Sequence, residues 1–137
     1  MSAERWLKLL LRLIGASCLL AIVAVYMPTS WMARCHEWIG LGPFPDAPIA
    51  SYLARATSAF YAMLGGLMLI VASDVRRYSR VIAYLAWMGV AYGITMSLVN
   101  IFIGMPLSWQ IGEAHAAGLG VVILLLQRAR RRAEANP

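Results

Sequence analysis

"VIAYLAWMGVAYGITMSLVNIFI", residues 81 to 103, runs for 23 residues without a charged side chain. A helix of that length rises about 1.5 Å per residue and covers about 35 Å, enough to cross a hydrocarbon core of about 30 Å. Working outward, Ile49 to Ala72 forms a second run of similar length. Leu13 to Met27 and Ile111 to Leu126 reach a spanning length once Trp6 to Arg12 and Gln127 are included. The whole chain is 61% hydrophobic and 13% charged, against about 25% charged residues in a soluble domain. These features predict an all-α, integral membrane, up-down four-helix bundle in a single domain. Its spans fall near 6–27, 47–72, 81–103 and 109–127.

The first run is expected to stay in place as a helix. A cleaved signal has a short apolar core ending in an A-x-A pattern. Here Lys8 and Arg12 interrupt the start, and the run continues through "SCLLAIVAVY". The net charge of +6 has a topological explanation and calls for no nucleic-acid partner. Arg5, Lys8, Arg12, Arg76, Arg77, Arg80, Arg128, Arg130, Arg131 and Arg132 fall on one side of a four-span chain, leaving Arg34 and Arg55 on the other. Basic flanks stay cytoplasmic, so both termini are expected inside a bacterial plasma membrane, with a basic tail over 128–137. The "RARRR" run (128–132) also suits anionic lipid headgroups, although anchoring the topology accounts for it alone.

M-P-x-S-W occurs at 27–31 and again at 105–109, and Gly15 and Gly93 share the same offset of 78 residues. Duplication of a two-helix unit explains this. So does convergent local grammar, in which Pro ends one helix, Ser caps the next and Trp prefers the interface. After the first copy, "SWMARCHEWIGLG" (30–42) puts Trp31, Cys35 and Trp38 at helical spacing. Residues 30–40 are too short to span, so they predict an interfacial helix lying as a lid on the outer surface. Gly40 and Gly42 stop it, His36 lies within it, and Asp46 is the expected cap of the second span. Cys18 and Cys35 sit at different depths, too far apart for the ~7 Å Cα separation a disulfide needs.

Small residues mark the packing faces: Ala54, Ser58, Ala62 and Gly66; Gly89, Gly93 and Ser97; Gly112, Ala116 and Gly120. Lipid gives helices little hydrophobic reason to associate, so close backbone approach has to supply it. Such faces serve internal packing, a homodimer or a larger membrane complex equally well. Polar residues stand at the outer ends of these faces. Arg55 and Asn100 lie about 27 and 28 Å above the inner boundary, and Glu113 about 21 Å. An intramembrane carboxylate is costly without a partner, and the planar fork of arginine suits it. Arg55 is therefore the expected partner of Glu113. The pair either locks two helices together or floors a pocket beneath the lid; an unpaired Glu113 kept neutral by burial is the third reading. Tyr61, His115 and Trp109 complete the candidate cluster, with Trp31, Cys35, His36 and Trp38 above it. No catalytic constellation, phosphate loop or metal-ligand spacing is present, so neither a cofactor nor a metal is expected.

Four short helices, "SAFYAMLGGLMLIVASDVRRY" (58–78), the "GMPLSW" turn and a glutamate opening the last span resemble the DoxX-like group of small bacterial membrane proteins, in its uncharacterised branches. The resemblance covers most of the chain and carries over Tyr61, Gly65, Gly66 and Glu113. It implies membrane lipid as the surroundings, and for some relatives quinone-linked sulfur oxidation or thiol redox defence. This chain has no cysteine pair suited to either. The expected function is a non-enzymatic accessory protein or a binder of a lipid-like molecule. The alternative is a membrane oxidoreductase component with quinone as its ligand.

Overall fold

The computed structural model describes residues 2–135, apart from the side chain of Ser108. The described chain is all-α: α1 (Ala3–Leu19), α2 (Ile22–Tyr26), α3 (Thr29–Trp38), α4 (Pro48–Ser73), α5 (Ser79–Ile103) and α6 (Leu107–Ala135). Four segments are long and apolar enough to cross a membrane: Ala3–Tyr26, Pro48–Ser73, Ser79–Ile103 and Trp109–Ala135. They leave Phe60, Ile94, Phe102 and Leu125 well exposed. An apolar surface of this extent suits lipid rather than water.

The chain divides into two compact units, residues 12–69 and residues 1–11 with 70–137. In the 12–69 unit, α1 and α4 meet backbone to backbone. A Cβ added to Gly65 would lie 2.5 Å from the Leu19 nitrogen and 2.6 Å from the Gly15 oxygen. One added to Gly15 would meet Leu69 at 3.0 Å, so the contacts run antiparallel. Gly66, the expected contact residue, has nothing near it. Ala62 of the ladder read from sequence is buried, but one turn on the contact falls on Gly65 rather than Gly66, adjacent glycines that the sequence does not discriminate.

In the other unit, α5 and α6 form an antiparallel hairpin. A Cβ on Gly93 would lie 2.5 Å from the Ala117 nitrogen, and one on Gly120 2.5 Å from the Ala86 oxygen. Gly89 faces Ala116, as the small-residue faces predict, while Gly112 is open. The core of this unit draws Leu7 and Leu11 from α1, Val71 and Ala72 from α4, and Val75 from the connecting turn. Ile82, Ala86 and Ile123 complete it from α5 and α6. Around it, Glu4 accepts from Lys8 (2.9 Å) and from Arg76 (2.9 and 3.1 Å), and Arg130 reaches Glu134 at 3.2 Å.

Local chemistry sets the boundaries. Gly40 and Gly104 adopt positive φ, and each ends its helix with paired backbone bonds. Leu41 and Gly40 bond back to His36 and Glu37, and Met105 and Gly104 to Asn100 and Ile101. That pattern satisfies carbonyls a helix end leaves open. The two M-P-x-S-W copies build the same start. The Pro28 carbonyl accepts from Trp31 and Met32, and that of Pro106 from Trp109 and Gln110. Proline opens each helix, so Ser30 lies inside α3 and caps nothing; the side chain of Ser108 lies outside the described residues. Asp46 is likewise not the cap of α4, which begins at Pro48, a favoured first position because its missing N–H is not needed there. The basic segment expected as a tail continues α6 as helix to Ala135, supported by the Arg130–Glu134 pair one turn apart. Positions 136 and 137 of that tail lie outside the described residues.

Asp74 opens the α4–α5 turn and accepts from the backbone nitrogens of Arg77 (3.0 Å) and Arg76 (3.1 Å). Those bonds, that from Arg77 foremost, hold its carboxyl below its ordinary value. A lowered carboxyl contributes above the unfolded pKa and loses its contribution as pH falls through the folded one. In a pH titration, the Arg76 and Arg77 amide resonances should therefore move together with a midpoint below that of an ordinary aspartate, and Asp74→Ala should abolish that movement.

The glycine contacts give a sharper test. Gly65→Ala and Gly93→Ala push a methyl group into neighbouring backbone and should each cost about 1–3 kcal/mol. Gly66→Ala and Gly112→Ala meet open space and should be neutral or stabilising by up to about 1 kcal/mol, since alanine is the better helix former. Unfolding of the four variants in detergent measures the contrast; four equal losses would mean that the contacts are not tight.

Candidate functional site

The residues singled out from sequence fall into both units. Arg55, Tyr61 and the lid belong to the 12–69 unit; Asn100, Trp109, Glu113 and His115 belong to the other.

Arg55 is half-buried on α4, and its guanidinium donates to the Val25 carbonyl in α2. A helix end leaves its last carbonyls without intrahelical donors, so Arg55 serves there as a cap supplied from another helix. Tyr61, two turns further along α4, is 37% exposed. The lid is helical, as expected, over Thr29–Trp38. Its buried residue is Met32, whereas Trp31 and Trp38 are exposed (59% and 87%) and Cys35 is an exposed free thiol. Apolar residues on that outward face suit a helix lying at an interface. His36 is engaged locally, its Nδ1–H donating to the Gly42 carbonyl at 2.8 Å and its ring standing edge-on to Phe44.

In the second unit, Asn100 sits one turn before the end of α5 and is 2% exposed. Its side-chain nitrogen has no hydrogen-bond partner. Glu113 and Trp109 are half-buried on α6. The backbone oxygen of Glu113 lies against Gly93, so this carboxylate starts at a close approach of α5 to α6. No described cation of its own unit lies within ion-pair distance of it. His115 is exposed, its Nδ1–H donating to the Ile111 carbonyl at 2.7 Å. Among the described residues, no three His, Cys, Asp or Glu side chains group as a metal site.

A half-open cleft of about 160 Å³ lies between α5 and α6, lined by Ala83, Trp87, Leu124, Gln127, Arg128 and Arg131. Sequence patterning presents the arginines as one run and does not single out Trp87. The signal that marks the cleft is spacing. Leu124, Gln127, Arg128 and Arg131 recur at three- and four-residue intervals and share a face of α6.

No protein family, curated protein or solved structure matches the chain.

An unpartnered buried donor costs about 1–3 kcal/mol, whereas an apolar side chain of similar shape costs little. Asn100→Leu should therefore leave the ligand-free protein as stable as wild type or more so, read from thermal unfolding in detergent. A loss of several degrees would mean that the amide is bonded after all.

Proposed function

We propose that this chain is a multi-pass protein of a bacterial plasma membrane that acts without catalysis, as an accessory subunit or a holder of a lipid-like molecule. The observation carrying this reading is Asn100, a buried amide whose side-chain donor has no partner. A donor kept in an apolar hairpin at a cost to stability is accounted for by an acceptor that arrives with a ligand, such as the ester or carbonyl of a lipid-like molecule. Both termini and the 74–78 turn face the cytoplasm, and the lid faces outward. The ten-to-two distribution of basic residues supports this orientation. The resemblance to the DoxX-like group supports the bacterial membrane and adds Glu113 to the site.

Native mass spectrometry of gently extracted protein tests the function itself. A lipid-like adduct on wild type, lost in Asn100→Leu, is the expected result. A quinone or haem adduct would replace this reading with that of a membrane oxidoreductase component, and a wild-type protein free of any adduct would remove its basis.

A further inference from the structure

We propose that the cleft between α5 and α6 is a binding site for an anionic phospholipid, with the phosphate at Arg128 and Arg131 and the upper acyl chain along Leu124, Ala83 and Trp87. The inference rests on the membrane placement proposed above and names a second site, in a different part of the α5–α6 hairpin from Asn100.

The arginines near the end of α6 have different surroundings. Arg130 is buried and bonded to Glu134, and Arg76 from the α4–α5 turn is held by Glu4 and Glu134. The carboxylates of this end are thereby engaged. Arg128 and Arg131 are exposed, line the cleft and have no carboxylate partner among the described residues. One turn apart on α6, they present two guanidinium groups to the same mouth, and guanidinium groups bind phosphate through paired N–H donors. The cleft also has the polarity gradient of a phospholipid. From Arg131 to Leu124 is seven residues, or about 10 Å along α6, over which the lining passes from cations through an amide to aliphatic carbon. Gln127, buried on the way, donates to the Ser79 carbonyl at 2.9 Å and fixes that wall to α5. Across it stands Trp87, 55% exposed, an aromatic body of the kind that seats at the headgroup boundary. Basic pockets between spans on the cytoplasmic side are where anionic headgroups bind. A free phosphate would use the arginines but would have no use for Trp87 and Leu124; the apolar half of the cleft selects the lipid.

The test uses the full chain in neutral detergent, so it does not depend on orientation in the cell. Phosphatidylglycerol and phosphatidylcholine with brominated acyl chains are titrated in, and quenching of Trp87 is read as the difference between wild type and Trp87→Phe. Wild type should bind the anionic lipid about tenfold more tightly than the zwitterionic one, and Arg128→Gln/Arg131→Gln should weaken it about ten- to thirtyfold with helix content unchanged. The single variants should each weaken it by about fivefold, which keeps the result readable should the double variant unfold. Arg5→Gln/Arg12→Gln removes the same charge from another surface and should change the affinity less than about twofold. Equal losses in the two double variants, or equal quenching by both lipids, would overturn the site. So would inorganic phosphate at millimolar concentration abolishing the quenching, because the occupant would then be a soluble anion. External labelling of Ser79→Cys in intact cells would instead overturn the proposed orientation, leaving the binding result in detergent untouched.

Discussion

Close approach of helix backbones at Gly15, Gly65, Gly93 and Gly120 is the constraint on which the rest of the structure depends. The long helices are apolar around most of their circumference, so burial of hydrophobic side chains selects no face for contact. Absent side chains select it. Where the Gly65 backbone meets Gly15 and Leu19, and where Gly93 and Gly120 meet Ala117 and Ala86, each pairing has one register. Register in turn decides which polar residues lie near each other. Glu113 is held at the α5–α6 crossing because its own backbone oxygen touches Gly93 there.

Polar groups are distributed along the 1–11/70–137 unit in a way this register makes intelligible. Near the α4–α5 turn the carboxylates and Gln127 are paired: Glu4 with Lys8 and Arg76, Glu134 with Arg130 and Arg76, Gln127 with Ser79, and Asp74 with the turn's own amides, while Arg130 keeps a buried Nε without a partner. The exposed ion pairs among them contribute little to stability. Their effect is positional, tying α1, the turn and the end of α6 around the core of Leu7, Leu11, Val75 and Ile82. Pairing there extends even to the arginine hydrogen bond with Glu4, which raises the already high pKa of Arg76. Toward the α5–α6 turn the same unit holds an amide with an unpartnered donor and a carboxylate without a local cation.

The helical architecture is legible because it depends on quantities a sequence states directly: the length of uncharged runs, prolines and glycines at their ends, and the 3.6-residue period of the lid. Positive φ at Gly40 and Gly104 falls where those runs stop. The illegible part depends on rotation about a helix axis. Gly65 and Gly66 are equally small, and their choice is made by Gly15 on another helix. Arg55 satisfies a carbonyl of α2, a partner invisible to reasoning that counts only side chains. The lid's outward tryptophans result from Met32 being the residue turned inward, a preference its spacing does not reveal. Asp46 looks like a cap because capping residues are recognised by type, yet Pro48 starts α4 by fixing its own φ. The tail misleads for a related reason. A run of arginines resembles a solvated end, but Arg130 is buried, and the Arg130–Glu134 pair carries the helix to Ala135.

The two copies of M-P-x-S-W show how far sequence identity carries. Both begin a helix in the same way, each proline carbonyl accepting two backbone donors. The helices they begin nevertheless differ in length and character. After the first copy, Arg34, His36 and Glu37 interrupt the apolar pattern, and Gly40 ends a helix of ten residues. After the second, Glu113 and His115 are succeeded by twelve residues without a charge, and the helix runs to 29 residues. The shared motif therefore specifies only a start, and the residues downstream decide whether that start becomes a lid or a span. Glu113 is the difference between the cases: a charge tolerated near the beginning of a spanning helix, where its backbone is fixed against Gly93 and the apolar run beyond it supplies the length.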